Sequence, residues 1–166
     1  LADRVAIVTG GGQGIGGATA RRLAQAGARV LIAAFDMEAA HANVVQIQGS
    51  GGVAEALQTD VSQPAAIEAM VARAVELWGR LDILVNNAGA SWGAAAEDHP
   101  AEAWDKVMNL NVRGYFLLSQ AIAKKSMIAR KSGRIINIAS IAGLGGNPTA
   151  MKTIAYNTSK GAVINF

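Results

Sequence analysis

The chain contains no cysteine, which excludes disulfides and thiolate chemistry. It has only three prolines and no stretch rich in proline or serine, so no linker divides it. There are no repeats of solenoid period and no low-complexity block. Histidine is scarce: His41 falls in a predicted surface helix and His99 in a loop, neither is expected to act as a base, and no ligand cluster for a metal is present. No apolar run reaches the roughly 18 residues a membrane-crossing helix needs, so no membrane partner is expected. The N-terminus, Leu1-Ala2-Asp3-Arg4, has no signal-peptide pattern and no initiating methionine, which suggests that residues were trimmed or left out, and a cytoplasmic protein is the expectation.

What is present reads as one globular unit. Hydrophobic residues make up 51% and charged residues 16% of 166 positions, enough for one domain with a sizeable core. The net charge of +3 comes largely from Lys124, Lys125, Arg130, Lys131 and Arg134. These bunch toward a predicted helix end, where the helix dipole favours cations, with an anionic surface partner as the alternative. Nothing in their pattern indicates nucleic-acid binding.

Short apolar runs alternate with stretches of helical period, the signature of βα units on a parallel sheet. Strands are expected at Arg4–Thr9, Arg29–Ala34, Gly52–Thr59, Asp82–Asn86 and Arg134–Ala139. Helices are expected near Gly14–Ala26, Met37–Gln48 and Pro64–Trp78, with a broad helical region over Ala101–Arg130. A further helix should start near Ala155 and be barely two turns long when the chain stops at Phe166. The expected class is α/β, a Rossmann-type doubly wound parallel sheet forming a single dinucleotide-binding domain over residues 1–166. Ile135-Ile136-Asn137-Ile138 reads as a strand suited to burial on both faces, yet no later strand follows to pair with it. The fold is therefore expected to be truncated at its C-terminus, with later strands and a substrate-covering loop absent.

After the first strand comes Thr9-Gly10-Gly11-Gly12-Gln13-Gly14-Ile15-Gly16-Gly17. Glycines there would let the backbone approach a pyrophosphate, whose charge would sit at a helix N-terminus with unpaired N–H groups. From spacing alone two registers are open, Gly10/Gly14/Gly16 and Gly12/Gly14/Gly17. About 20 residues on, where an acidic side chain would hold the adenosine ribose, stands Asp36, which could equally cap the next helix. No arginine lies beside it to accept a 2′-phosphate, so NAD is preferred over NADP. Far downstream, Tyr156 and Lys160 are four apart, a spacing that puts both on one helix face. A phenol ordinarily ionises near ~10, so a tyrosine exchanging protons near neutrality needs a fixed positive charge beside it.

With these residues in place, the sequence resembles the short-chain dehydrogenase/reductase family along essentially its whole length, and particularly members similar to polyol and gluconate dehydrogenases. Thr9-Gly10 with Gly14-Ile15-Gly16 looks like the family's TGxxxGIG turn, which favours the first register. Asp60-Val61, after the third strand, is similar to the family's adenine-contacting Asp, and Asn86-Asn87-Ala88-Gly89 to its NNAG segment. Asn111 matches the catalytic asparagine, Ser140 the serine, and Tyr156 with Lys160 the YxxxK pair. The resemblance implies dinucleotide contacts at Gly10, Gln13, Gly14, Ile15, Gly16, Asp36, Asp60, Val61, Asn87, Ala88, Gly89, Tyr156 and Lys160. Two features depart from the family pattern. The acidic position that closes the second strand falls on Ala34, and the stretch Ile141 to Ala155 is longer than is common, so it should bulge as a loop.

The implied reaction is hydride transfer between NAD or NADP and a secondary alcohol or ketone, a small-molecule substrate of which sugar acids and polyols lead and a 3-oxoacyl thioester is a near alternative. Tyr156 would be the acid or base, Lys160 its charge partner, Ser140 the group that fixes the substrate oxygen, and Asn111 the holder of a water linking Lys160 to solvent. Trp92, in the loop from Ala90 to Pro100, would touch substrate or simply pack. Val112, Tyr115, Phe116, Leu118 and Ile122 spread around more than one helix face, so a homodimer or homotetramer is expected. From a different class, a non-catalytic dinucleotide-binding or scaffold protein is the alternative.

Overall fold

A computed structural model describes residues 1–148 and 150–166. Five strands, β1 (Val5–Thr9), β2 (Arg29–Ala34), β3 (Val53–Gln58), β4 (Ile83–Asn86) and β5 (Arg134–Asn137), form one sheet in the order β3-β2-β1-β4-β5. Every pairing is parallel, as when Ile7 stands opposite Leu31 on one side and Leu84 on the other. The helices are α1 (Gly14–Gln25), α2 (Met37–Gly49), α3 (Pro64–Trp78), α4 (Ala101–Met108), α5 (Gly114–Ile122), α6 (Ile128–Arg130) and α7 (Ile154–Asn165).

Alternation along β1 explains the layers. Ala6 and Val8 face α1 and α2 with Ala20, Ala24, Ala40, Val44 and Ile47. Val5 and Ile7 face α3 and α5 with Ile67, Met70, Ala74, Leu118 and Ile122. A strand buried on both faces reads as a continuous apolar run, which Val5-Ala6-Ile7-Val8 is. Small alanines, Ala20 and Ala24, make the buried face of α1, whereas the larger Met70 and Leu118 fill the other side of the sheet. The order reverses between β1 and β4, because the chain leaves β3 and returns on the far side of β1. That reversal opens a crevice at the strands' carboxyl ends.

The broad helical region over Ala101–Arg130 is continuous, but two π turns, Asn109–Arg113 and Ala123–Met127, interrupt its α geometry. Such turns recur at functional sites, and the first one carries Asn111. The last helix is longer than the sequence reading gave: α7 runs 12 residues, more than three turns. Among the described residues β5 pairs only with β4 and leaves Ile135 38% and Ile136 45% exposed, as a strand suited to two-sided burial does at a sheet edge.

Candidate active site

The turn after β1 is shaped by close backbone approach. Gly10 has φ +63°, and a Cβ there would meet Asn87 Nδ2 at 3.0 Å and Ala88 Cα at 3.1 Å. A Cβ at Gly16 would collide with Asn87 Nδ2 and the Gly10 carbonyl. Thr9 locks this arrangement: its hydroxyl oxygen accepts from the Asn87 and Ala88 N–H groups, both at 2.9 Å. The Asn87 amide in turn donates to the carbonyls of Thr9 at 2.9 Å and Gly10 at 3.3 Å. The segment Asn86 to Gly89 is thus stitched onto the glycine turn. Its other asparagine faces inward, where Asn86 donates to Ser119 Oγ at 3.1 Å and Asn137 Oδ1 at 2.8 Å.

Asn43 on α2 is a further support that sequence reasoning missed. It is 2% exposed and donates to Gly11 O at 2.7 Å and Gly17 O at 3.3 Å. The available signal was a polar residue on the helix face shared with Ala40, Val44 and Ile47.

A cavity of about 640 Å³ opens above the carboxyl edge, lined by Gly10 and Gln13 on one side and by Asp60, Val61, Asn87, Ala88 and Gly89 on the other. Gln13 stands at the N-cap of α1 without a side-chain capping bond, so helix N–H groups are open toward an anion. Gly14 and Ile15 begin the helix, with Ile15 exposed and Gly16 buried. Asp60 is satisfied locally, accepting from the Ser62 N–H at 2.9 Å and hydroxyl at 2.7 Å, which fixes the turn beneath the cavity. Asp36 is an N-cap, accepting from the Ala39 N–H at 3.2 Å. The cavity wall at the end of β2 is made instead by Ala33, Ala34 and the largely exposed Phe35.

Ser140 stands just beyond β5, and Tyr156 and Lys160 stand on α7, which packs against the turn that follows Ser140. Ser140 follows β5 and caps a short 3-10 turn, Ile141–Gly143, its hydroxyl oxygen accepting from the Ala142 N–H at 3.2 Å. That turn lies on α7: a Cβ on Gly143 would stand 2.5 Å from Lys160 C and 2.6 Å from Gly161 N. Lys160 is 3% exposed, and its ammonium donates to the Ile138 carbonyl at 2.5 Å. Its Nζ lies 5.7 Å from the centroid of the Tyr156 ring and 5.5 Å from that of Tyr115. Burial lowers the Lys160 pKa from its ordinary value. Tyr156 is half-buried, and among the described residues its hydroxyl and that of Ser140 are not bonded to each other.

Asn111 is fully buried and joins three elements. Its Nδ2 donates to Ala90 O and Ser159 Oγ, each at 2.9 Å, and its Oδ1 accepts from the Ala90 N–H at 2.9 Å. Both amide hydrogens are therefore committed to protein partners, the loop after β4 and the residue beside Lys160. Ser159 completes the link by donating to Tyr156 O at 2.7 Å.

The long stretch before α7 is a loop, as its length suggested, and Thr149 within it lies outside the described residues. Asn147 donates to Thr153 Oγ1 at 2.9 Å and to Asn157 Oδ1 at 3.0 Å. The Ala94 N–H donates to Lys152 O at 2.9 Å, tying this loop to the one after β4. Between them lies a cavity of about 260 Å³ lined by Ala94, Ala96, Pro148, Met151 and Ile154 among others. Ser140, Tyr156 and Trp92 do not line it. Trp92 is 44% exposed, and His99 stacks edge-on against Trp104 at 6.3 Å. Among the described residues no group of three or more His, Cys, Asp or Glu side chains could hold a metal, and no helix is long and apolar enough to cross a membrane.

A family model described as short chain dehydrogenase matches residues 4–166. A rhamnolipid-biosynthesis 3-oxoacyl-[acyl-carrier-protein] reductase of Pseudomonas aeruginosa is 42% identical over 98% of this chain and 64% of its own length. A 3-oxoacyl-[acyl-carrier-protein] reductase of Synechocystis sp. is 40% identical over 100% of this chain and 66% of its own. The chain thus spans slightly less than two thirds of the length of these curated relatives. Among solved structures, an NAD+-bound xylitol dehydrogenase superposes with a TM-score of 0.92 at 36% identity, over 99% of this chain and 62% of its own. A metagenomic short-chain oxidoreductase in complex with NADP gives 0.92 at 40% identity, over 99% and 73%.

Proposed function

We propose that this chain, which belongs to the short-chain dehydrogenase/reductase family, is the catalytic core of an NAD(P)-dependent oxidoreductase acting on a secondary alcohol or its ketone. The observation that carries the reading is the Lys160 ammonium, buried beside the Tyr156 ring, in a chain whose turn after β1 is shaped by glycine for close backbone approach. A nicotinamide dinucleotide, when bound, supplies or accepts the hydride.

The residues present fit that group. Gly10 and Gly16 leave room where a side chain would collide with the Asn87 segment, and the N-terminus of α1 would hold the pyrophosphate. Asp60 and Val61 lie where the adenine end would rest, and Lys160 is suited to hold the nicotinamide ribose. Ala34 and Phe35 bring no carboxylate to the cavity wall at β2, while Asp36 caps α2. The preference for NAD drawn from Asp36 accordingly weakens, and acceptance of both NAD and NADP is the reading this wall supports.

Tyr156 gives its hydroxyl proton to the substrate oxygen during reduction and takes one during oxidation. The Lys160 ammonium stabilises negative charge developing on the phenol oxygen. Ser140 hydrogen-bonds the substrate oxygen and fixes it for transfer. Asn111 holds the helix–loop–helix junction in register, so the water expected beside it would be met by its backbone, since its side-chain hydrogens are engaged.

For the substrate, sugar acids and polyols are one reading, supported by similarity to the xylitol dehydrogenase. A 3-oxoacyl thioester is the second, supported by the two reductases that are 42% and 40% identical. Assembly as a homodimer or homotetramer through the α4–α5 face is supported by Phe116, 46% exposed on α5. The experiment is oxidation of NADH and NADPH, followed at the nicotinamide absorbance band, against a panel of ketoses, keto-acids and 3-oxoacyl thioesters. Turnover with one class assigns the substrate, and tight dinucleotide binding without turnover of any class favours the scaffold alternative.

A further inference from the structure

Tyr115 lies on α5, one helical turn beyond Asn111, and is 1% exposed. In the sequence it is one apolar position of a helix, and proton transfer through Tyr156 makes no use of it. Two facts set it apart from an ordinary core aromatic. Its hydroxyl is buried without a hydrogen-bond partner among the described residues, although buried phenols usually find one. Its ring face also lies under the Lys160 ammonium, 5.5 Å from Nζ to centroid, within the range of a cation–π contact.

We propose that Tyr115 is a positioning residue for the proton-transfer site, its ring forming an electrostatic seat that holds the Lys160 ammonium next to Tyr156. This rests on the assignment of Lys160 to that site. The physical need is plain: a buried ammonium has three donors and no solvent, and among the described residues Lys160 donates to one acceptor, the Ile138 carbonyl. Burial works against its charge, and among the described residues no carboxylate offsets it. α5 and α7 carry no acidic residue, the carboxylates of α4, Glu102 and Asp105, are exposed, and Arg113 in the intervening π turn is exposed too. The groups that face the ammonium are therefore the two tyrosine rings, Tyr115 from α5 and Tyr156 from its own helix. The Asn111–Ser159 bond at 2.9 Å fixes α7 one residue away, so the ring and the lysine are held in register by the same pair of helices.

The test is the protonation midpoint of Lys160, read without turnover by NMR of the protein labelled with 13Cε-lysine, the resonance being assigned by its loss in Lys160→Met. Tyr115→Phe keeps the ring and should leave the midpoint unchanged. Tyr115→Met keeps bulk but removes the ring's negative face, and should lower the midpoint by about 0.5 to 1.5 pH units. If Tyr115→Met does not fold, tetrafluorophenylalanine at position 115 keeps the shape, weakens the face, and should shift the midpoint the same way. In the active enzyme, the limb of the pH–rate profile due to Lys160 should move with the midpoint. An unchanged midpoint in both ring-weakened proteins, or an equal shift in Tyr115→Phe, would overturn the proposal. Because the midpoint needs no substrate, an inactive protein with the expected shift would count against the enzymatic reading and leave the seat standing.

Discussion

Single residues at the glycine turn show how little freedom the crevice allows. Gly16 has no room for a methyl group, since a Cβ there would collide with the Gly10 carbonyl and the Asn87 amide. Gly16→Ala should therefore push the Asn87 segment off the turn and weaken dinucleotide affinity at least about tenfold, a loss of roughly 1.4 kcal/mol. Quenching of protein fluorescence by NADPH would measure it, and unchanged affinity would show that the turn does not carry the pyrophosphate. At this scale spacing made the left-handed turn at Gly10 and the shared helix face of Tyr156 and Lys160 legible. Asp36 was ambiguous, because an acidic residue before a helix is equally a cap, and its bond to the Ala39 N–H is the cap reading. Tyr115 and Asn43 were hidden because their roles depend on which side chain lies across a helix–helix or helix–turn contact, which no local pattern encodes.

At the scale of elements, the boundaries of α1, α2 and α3 followed from glycine, Asp36 and Pro64 at their starts. The π turns in the Ala101–Arg130 helix were not legible, since a π turn keeps the same apolar period and only shifts its phase. The contact between the 3-10 turn and α7 was equally invisible, although Gly143 and Gly161 were its trace in the sequence. A Cβ on Gly143 would stand 2.5 Å from Lys160 C and 2.7 Å from Lys160 O, so Gly143→Ala must drive Ser140 and Lys160 apart. A misplacement on the order of 1 Å in a reacting constellation can cost about a hundredfold in rate. We expect kcat/KM for Gly143→Ala to fall by about that factor while the far-ultraviolet circular dichroism stays native, and wild-type kcat/KM would contradict this role for the turn.

Across the whole molecule, the end opposite the crevice holds the sheet together. Asp82 is buried at the start of β4 and accepts from Arg4 at 3.1 Å, Arg80 at 2.6 Å, Arg130 at 2.6 Å and the Val5 N–H at 3.0 Å. Burial alone would raise its pKa, but hydrogen bonds from Arg80, Val5 and Arg4, with the charge of Arg130, outweigh it and hold the carboxyl at about 2. Its folded value thus lies below the ordinary 3.8. The stabilisation, about 2 kcal/mol, is complete above pH 3.8 and is lost as pH falls through about 2. Chemical denaturation between pH 5 and pH 2 should show this loss in the native protein, and Asp82→Asn should flatten that part of the curve. At this scale the parallel sheet was readable from alternating βα units, whereas the Asp82 cluster, built from residues far apart in sequence, was not. The crevice at the other end is the claim on which the functional account stands, and Tyr156→Phe tests it most directly when kcat and the dinucleotide dissociation constant are measured together. The account predicts that turnover falls at least about a thousandfold, of the order general acid–base catalysis contributes, while dinucleotide affinity is kept; turnover near the native rate with the phenol oxygen gone would contradict it.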